Sequence, residues 1–326
     1  MQIDGKRFLI TGGASLIGSH LAQQLLDAGA AEVVLFDNLS LGSEAVLKSF
    51  ASQARVRVVR GDVLSLTSLI DAFEGIDGVF ALAAYLTLPI AAQPRTGIEV
   101  NVVGMLNLLD AARIRSVSKI VFASSIAVYG SEIEGLVDET VGFGSHDISP
   151  AFATYASSKL LGESLGRLYA QKGGPNFCSV RYSTVYGENQ HSRGVNALAI
   201  LQAIEAVARG EAPTILGDGS EAHDYIYVGD AAAGTIKAME RGPSGEAINI
   251  VTGVSTSVKQ VVESVLDVRG SALQPVYAED KRTAKSTGHE RLDLSNEKAK
   301  TLLGWTAQTS VRDGIARLSA WLDSRD

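Results

Sequence analysis

Residues 7–37 read RFLITGGASLIGSHLAQQLLDAGAAEVVLFD, and the order of patterns within them decides the predicted fold. A short apolar run, Arg7–Thr11, stops at a pair of glycines, and Ile17–Leu26 then repeats its apolar residues with helical period. A second apolar run, Val33–Phe36, ends in Asp37. Strand, glycine turn, helix, strand and acid in this order predict the first unit of a nucleotide-binding doubly wound sheet.

The chemistry of that unit points to a dinucleotide. A glycine lets the chain turn tightly, and the helix N-terminus offers free N–H groups and a positive dipole end to a pyrophosphate. Asp37, which follows Gly18 by 19 residues, is placed to accept hydrogen bonds from the adenosine ribose. A carboxylate there repels a 2′-phosphate, so the sequence predicts NAD rather than NADP.

Strand and helix patterns continue to alternate, which predicts a parallel sheet covered on both faces. The next strand patterns are Val56–Val59, Gly78–Ala84 and Lys119–Ser125, and a helical pattern covers Asn101–Ala112. Asp62, after the first of these strands, is placed near the adenine edge. Ser124 and Ser125 end the last strand, where ligands bind in such sheets, so both are expected to point at the cofactor; a turn-forming pair is the alternative.

Tyr155 and Lys159 are four residues apart and therefore lie on one face of a helix. An ammonium beside a phenol favours the phenolate, so the pair predicts a tyrosine base that works nearer to neutral pH. The spacing by itself also suits an ordinary solvated helix face.

Composition excludes several classes of function. A net charge of −7 without a block of Lys or Arg argues against nucleic acid or an anionic membrane as the main partner. Cys178 is the one cysteine, which excludes an internal disulfide and fits a reducing cytoplasm. No apolar run approaches a membrane span, and the charged residues near Met1 do not suit a signal peptide. The five histidines show no metal-ligand spacing, so no metal is predicted.

After Gly187 the pattern loosens. The sequence predicts a polar loop over Glu188–Gly194, a strand and turn over Pro213–Gly219, and helices over Val195–Arg209, Gly229–Arg241, Ser257–Val268 and Val311–Leu322.

Many ordered motifs together resemble the extended short-chain dehydrogenase/reductase family, and the similarity covers essentially the whole chain. They are Thr11–Gly18 (TGGASLIG), Asp37-Asn38-Leu39, Gly61-Asp62, Leu82-Ala83-Ala84, Asn101-Val102-x-Gly104, Ser124-Ser125 with Val128-Tyr129-Gly130, Tyr155-x-x-x-Lys159, Arg181–Gly187, Gly217-Asp218-Gly219, Asp224–Asp230 and Leu302–Trp305. The most similar branch is that of the NAD-dependent sugar-nucleotide epimerases and dehydratases, UDP-glucose 4-epimerase-like. The resemblance implies a Rossmann domain over 1–187 and a smaller α/β substrate lobe mainly over 188–326, with some segments returning to the Rossmann domain.

The resemblance also implies residue roles. Tyr155 removes a proton from a substrate hydroxyl, Lys159 holds the ribose and biases Tyr155 towards phenolate, and Ser125 aligns the reacting oxygen. The implied NAD-binding residues are Gly12, Ser15, Leu16, Ile17, Gly18, Asp37, Asn38, Asp62, Val63, Leu82, Ala83, Ala84, Asn101, Tyr155, Lys159, Tyr182 and Val185. The implied substrate-binding residues are Thr87, Ser125, Thr184, Arg193 and His223. A homodimer is expected through helices over Asn101–Ala112 and Tyr155–Tyr169, although core packing would explain the same apolar residues.

Several positions depart from the family pattern. Ser15 replaces the middle glycine of the loop, where its hydroxyl is able to bond a phosphate oxygen, and Ala81 replaces a histidine. Ile126-Ala127 stand where the 4,6-dehydratases carry an acidic pair, so dehydration is rejected. Thr184 and His223 replace the Asn and Arg that usually grip the substrate nucleotide, and a neutral histidine holds a diphosphate less well than an Arg fork. The cations that could compensate, or be plain surface charges, are Arg193, Lys281, Arg282 and Arg291.

The leading hypothesis is therefore an NAD-dependent epimerase of a nucleotide sugar. The alternative is an NAD-dependent dehydrogenase that oxidises a secondary alcohol of a smaller or non-nucleotide substrate, which would account for Thr184 and His223. A non-catalytic NAD-binding sensor or scaffold is possible on this fold, but the joint presence of Ser125, Tyr155 and Lys159 argues against it.

Overall fold

The structure, a computed structural model, describes residues 1–131, 133, 135–190, 198–280 and 291–325. The strands are β1 (Arg7–Thr11), β2 (Glu32–Asp37), β3 (Val56–Arg60), β4 (Gly78–Ala81), β5 (Lys119–Ser125), β6 (Leu136–Val137), β7 (Asn176–Tyr182), β8 (Thr184–Tyr186), β9 (Thr214–Leu216), β10 (Ala222–Tyr227), β11 (Ala247–Ile250), β12 (Ser255–Ser257), β13 (Val276–Ala278) and β14 (Asp293–Leu294). The α-helices are α1 (Leu16–Asp27), α2 (Glu44–Ser49), α3 (Leu66–Ala72), α4 (Thr87–Ala92), α5 (Pro94–Ile98), α6 (Gly104–Ile114), α7 (Pro150–Gln171), α8 (Leu198–Ala208), α9 (Val228–Arg241), α10 (Val258–Val268) and α11 (Val311–Asp323).

The centre of the molecule is a seven-stranded parallel sheet in the order β11-β7-β5-β4-β1-β2-β3. The strand order reverses beside β1, which pairs with β2 on one side and β4 on the other. The loops after β1 and β4 therefore leave in opposite directions, and a crevice opens at the carboxyl ends of these strands.

Alternate side chains of β1 enter different cores. Phe8 and Ile10 are buried with helices α1 and α9 on one face, whereas Leu9 is buried with helices α3 and α6 on the other. Because successive side chains of a strand point to opposite faces, a strand covered on both sides must be apolar throughout. The α/β fold and its doubly wound parallel sheet are confirmed.

Segments beyond residue 187 divide between the central sheet and a second, smaller layer. Strand β11 forms the edge of the central sheet, and α9 packs against α1. A three-stranded sheet in the order β12-β10-β8 and the parallel pair β13-β9 lie outside the central sheet. The β10 strand runs parallel to β8, and β8 follows the carboxyl end of β7 along the chain.

Most predicted elements are present with ends that differ by one or two residues. The prediction of a strand over Gly78–Ala84 is too long, because the strand ends at Ala81 and the next residues line the crevice. The helix predicted over Asn101–Ala112 begins within a π-helical turn, Glu99–Val103, before α6. The helix predicted from Val195 is described from Leu198, since 191–197 lie outside the described residues.

Membrane-spanning helices and metal-binding clusters are both absent from the described residues. None of their helices combines the length and the apolarity that crossing a bilayer requires. They also contain no cluster of three or more His, Cys, Asp or Glu side chains suited to a metal ion. Cys178 is buried, and burial raises the pKa of its thiol to about 11, so it is a structural thiol.

Candidate cofactor and catalytic site

A cavity of about 270 Å³ opens at the carboxyl ends of the central strands, beside the point where their order reverses. The predicted site residues on its wall are Gly12, Ser15, Leu16, Ile17, Asp37, Asn38, Val63, Leu82, Ala83, Ala84, Ser125, Tyr155, Lys159, Tyr182 and Val185. The structure thus brings the predicted catalytic residues and most of the predicted cofactor residues together.

The glycine turn brings the chain close to the cavity. Gly12 has φ of +71°, and a Cβ there would lie 3.0 Å from the backbone nitrogen of Ala83, a residue of the cavity wall. Gly18 sits so close to the turn that a Cβ would lie 2.6 Å from the carbonyl oxygen of Gly12. This packing aims the first turn of α1, with its unpaired N–H groups at Leu16 and Ile17, into the cavity.

Ser15 is the N-cap residue of α1. Its hydroxyl oxygen accepts a hydrogen bond from the Gly18 N–H at 3.1 Å, which leaves the hydroxyl proton available to a ligand. The side chain that departs from the family's glycine therefore stabilises the helix terminus and remains able to donate to a phosphate oxygen.

The Asp37 carboxylate ends β2 and is held by two backbone donors. One oxygen accepts the Ala14 N–H at 3.0 Å and the other accepts the Leu39 N–H at 2.8 Å. Each oxygen keeps a further lone pair, so the oriented carboxylate can accept ribose hydroxyls. Gly42 packs against it, because a Cβ at that position would lie 2.8 Å from a carboxylate oxygen of Asp37.

The predicted catalytic residues come from α7 and the end of β5. Tyr155 and Lys159 are both buried on the inner face of α7, and Ser125 is the last residue of β5. The Lys159 ammonium donates to the carbonyl oxygen of Ala123 at 2.7 Å and lies 5.9 Å from the centre of the Tyr155 ring. A hydrogen bond joins the side chains of Tyr155 and Ser125.

Burial opposes the charged form of each of these two α7 side chains. It raises the pKa of Tyr155 to about 12, an increase that the hydrogen bond from Ser125 reduces. It lowers the pKa of Lys159 to about 7, while the charge of Glu163 raises it. The expected lowering of the Tyr155 pKa is therefore not found in the protein by itself, because the loss of hydration on burial outweighs the hydrogen bond from Ser125.

Three predicted cofactor residues lie just behind the cavity wall. Gly18 allows the close packing described above, and Asp62 accepts a hydrogen bond from the Asn38 amide at 3.0 Å. Asn101 binds the backbone of Tyr85 through both amide atoms, at 2.7 and 2.9 Å. These geometries give Asp62 and Asn101 contacts that position residues of the wall.

The predicted substrate residues are less well assembled. Thr87 and Thr184 are buried away from the wall of the described cavity. His223 also lies off that wall, where its ring nitrogen is 3.1 Å from a carboxylate oxygen of Glu221 and its ring packs edge-on against Tyr225. Arg193, Lys281 and Arg282 lie outside the described residues, and Arg291 pairs with Asp293 on the surface.

The wall also contains residues that sequence reasoning did not select. They are Phe36, Ser40, Leu41, Gly42, Gly61, Tyr85, Leu86, Pro89, Val100, Ala123, Ser183 and Gln190. Most are direct neighbours of predicted residues along the chain. Their position just after the end of a strand is the sequence feature that could have identified them. The expectation that both serines direct their hydroxyls at the cofactor is wrong for Ser124, which donates to Glu163 at 2.6 Å.

The cavity fits a dinucleotide with an unphosphorylated ribose. A glycine cradle and a helix N-terminus stand at one strand end, an oriented carboxylate at the next, and a buried Tyr–Lys pair at β5. The sheet order β2-β1-β4-β5 sets Asp37, the glycine turn with the α1 N-terminus, and the Tyr155–Lys159 pair in that sequence along the crevice. These residues would hold the adenosine ribose, the pyrophosphate and the nicotinamide end of NAD respectively, since the pyrophosphate lies between the two nucleosides.

Comparisons with known proteins agree with this site. The sequence profile of the NAD dependent epimerase/dehydratase family matches residues 8–251. A putative UDP-glucose 4-epimerase of Methanocaldococcus jannaschii is 32% identical over 320 residues, which cover 98% of this chain and 99% of that protein.

Two solved structures are similar over nearly the whole chain. An epimerase of Methanothermobacter thermautotrophicus has a TM-score of 0.88 at 29% identity, covering 99% of this chain and 94% of its own. A UDP-glucose 4-epimerase of Thermotoga maritima, solved with UDP-glucose, has a TM-score of 0.87 at 28% identity, covering 98% and 99%. The chain is an enzyme of the extended short-chain dehydrogenase/reductase type, and it belongs to the NAD dependent epimerase/dehydratase family.

Proposed function

We propose that this protein is an NAD-dependent epimerase of a nucleotide sugar, which inverts the 4-position of a UDP-hexose through a transient keto intermediate. The observation that carries the proposal is the convergence of Ser125, Tyr155 and Lys159 on a cavity that fits NAD. The names of the relatives, UDP-glucose 4-epimerases of two other organisms, support the choice of substrate.

The chain's own groups account for the proton movements. Tyr155 removes the proton of the substrate hydroxyl, and Ser125, hydrogen-bonded to Tyr155, orients the same oxygen. NAD, when bound, supplies a hydride acceptor for the adjacent carbon and a donor for the return step. The ammonium of Lys159, fixed by the Ala123 carbonyl, stabilises negative charge on Tyr155. Tyr155 then returns the proton after the ketone has presented its other face.

The residues after Ser125 disfavour the dehydratase reaction of the same family. Ile126 and Ala127 begin a short 3₁₀ turn, Ile126–Tyr129, directly beside the reacting position. Neither side chain can protonate a leaving hydroxyl, whereas expulsion of water needs an acid at that place.

A dehydrogenase of a smaller or non-nucleotide alcohol is the second candidate, and one observation favours it. His223 is paired with Glu221, whose carboxylate would repel a substrate diphosphate at this position. Thr184 contributes no charge. A nucleotide grip built as in the family is therefore not visible among the residues that the structure describes.

The nicotinamide content of the extensively desalted protein separates the candidates. An epimerase regenerates its cofactor in every cycle, so we expect close to one tightly held NAD or NADH per chain, released on denaturation. Calorimetry with UDP provides the second measurement, and micromolar binding is expected. A protein that emerges empty, exchanges NAD freely and does not bind UDP would support the dehydrogenase instead.

We further propose a cytoplasmic homodimer with two lobes, the substrate bound mainly by residues 188–326. Apolar side chains are exposed on α7, on the π-helical turn before α6 and at the end of α6: Leu161 at 43%, Leu168 at 43%, Val103 at 44% and Ile114 at 54%. A second copy packed on them would bring two copies of each helix together in a four-helix interface.

A further inference from the structure

Helix α7 carries a third buried ionisable side chain beyond Tyr155 and Lys159. Glu163 follows Lys159 by one turn and is completely buried. Its carboxylate accepts the Ser124 hydroxyl at 2.6 Å and both Nε and one terminal nitrogen of Arg181 at 2.9 and 2.8 Å. Glu163 does not line the cavity, so the proposed mechanism leaves it without a role.

The three α7 side chains contact three consecutive residues at the end of β5. Lys159 donates to the carbonyl of Ala123, Glu163 accepts from Ser124, and Tyr155 is bonded to Ser125. These contacts fix both the rotation of α7 and its height above the strand. Tyr155 and Lys159 are placed for the proposed chemistry only when α7 keeps this position relative to β5.

The charges around Lys159 come from few sources. On α7 they are Tyr155 and Glu163; β5 contributes the neutral Ser125 and the ring of Phe122, 5.0 Å from the ammonium. Burial lowers the pKa of Lys159 to about 7, and the charge of Glu163 acts on it in the upward direction. Arg181, on β7, pairs with the far side of the Glu163 carboxylate and stacks over the Tyr129 ring at 5.0 Å.

We propose that Glu163 is a positioning residue: its bond to Ser124 holds α7 in place at the end of β5, and its carboxylate places a negative charge one helical turn from the Lys159 ammonium. This inference rests on the proposed function only in assigning Lys159 to the cofactor ribose and to Tyr155. Arg181 at 2.8 Å and Arg167 at 3.3 Å both pair with the Glu163 carboxylate and hold it in place, because a buried carboxylate needs a paired cation to remain charged.

The test is Glu163→Gln, measured by calorimetric NAD affinity between pH 6 and 9 without any sugar. A lower pKa of Lys159 means that the ammonium is lost at lower pH, so the alkaline fall in affinity should move down by about one pH unit. NAD should then bind about threefold more weakly than to the wild type at pH 6.5 and about tenfold more weakly at pH 8. An equal loss at every pH, or none, would overturn the proposal.

Two variants separate charge from position. Ser124→Ala keeps all charges and removes one contact, so we expect a several-fold lower kcat with the pH of the affinity fall unchanged. Glu163→Gln with Arg181→Met removes both buried charges and serves if the single variant does not fold. In this double variant the alkaline decrease in NAD affinity should also occur at lower pH than in the wild type. A decrease at the wild-type pH would contradict the role of the Glu163 charge.

Glu263→Gln is the matched control, because Glu263 forms an exposed ion pair with Lys259 at the same spacing of four residues. It should leave the pH profile unchanged. NAD binding is read without turnover, so a shifted profile in a protein that converts no UDP-hexose would retain this inference and refute only the proposed function.

Discussion

Burial and hydrogen bonding shift the pKa of the Tyr155 hydroxyl in opposite directions. Burial raises the pKa to about 12 and the bond with Ser125 lowers it, with burial the larger effect. A phenol that holds its proton so firmly becomes a base only when a nearby positive charge stabilises its anion. Lys159 is a buried cation on the same helix face, so we expect activity to require its protonated form.

Replacement of Tyr155 by Phe should lower kcat by about 10³-fold while NAD affinity changes little, because only the proton-transfer group is lost. Interconversion of UDP-glucose and UDP-galactose, followed by NMR, measures the effect. Tyr169→Phe is the control on the same helix, since that hydroxyl contacts Asp110 away from the cavity. Turnover at the wild-type rate in Tyr155→Phe would refute the assigned base.

Asp37→Ser should weaken NAD binding by about 10- to 100-fold, the value of hydrogen bonds to a charged group. It should simultaneously improve NADP binding, because the charge that repels the 2′-phosphate is gone. Titration of both cofactors by protein fluorescence tests this. Asp77→Ser, which alters a surface carboxylate paired with Lys6, is the control. An unchanged ratio of the two affinities would count against ribose recognition by Asp37.

At the scale of elements, the position of α1 depends on close backbone packing at Gly18, where there is no room for a side chain. A Cβ at Gly18 would lie 2.6 Å from the Gly12 carbonyl oxygen and 2.9 Å from that of Gly13. Both neighbours are backbone atoms, so relief requires the helix to move away from the turn. Such a movement displaces the N–H groups that face the pyrophosphate.

Gly18→Ala therefore has two opposed effects. Alanine improves helix propensity by about 1 kcal/mol, whereas forced repacking costs about 1–3 kcal/mol. We expect lower stability and at least about tenfold weaker NAD binding, since the displaced helix end holds the pyrophosphate. Thermal unfolding and calorimetry measure the two. Gly142→Ala, with nothing within 4 Å of the new Cβ, should change neither. Tighter NAD binding in Gly18→Ala would refute this account of the turn.

At the scale of the whole molecule, the exposed apolar side chains lie on helices that also carry the catalytic residues. Leu161 and Leu168 belong to the outer face of α7, whose inner face presents Tyr155 and Lys159. A second copy packed on the outer face would restrain the helix that positions the base. Assembly and catalysis would then be linked through one element.

Leu161→Asp should yield a monomer, because an aspartate in an apolar interface is buried without a partner. Light scattering coupled to gel filtration measures the mass, and a fall in kcat would accompany dissociation if the partner steadies α7. Val254→Asp, at a more exposed apolar position in a loop before β12, should keep the wild-type mass. A wild-type protein that is already monomeric would refute the proposed dimer.

The sequence by itself determined the sheet, the glycine turn, the acid at Asp37 and the choice of proposed catalytic residues. These features rest on local patterns: apolar periodicity, turn-forming glycine, and spacing along one helix or strand. Neighbours of these residues on the cavity wall, such as Ser40 and Leu86, were missed because no pattern distinguishes a loop residue that faces a ligand.

Only the tertiary structure decided the direction in which the pKa of Tyr155 is shifted, the orientation of Ser124 and the pairing of Glu163 with Arg181. Each depends on burial or on a partner from another element, and hydration lost through packing has no signature in the local sequence. The crevice itself is decided in the same way, because the reversal of strand order beside β1 joins loops that are distant along the chain.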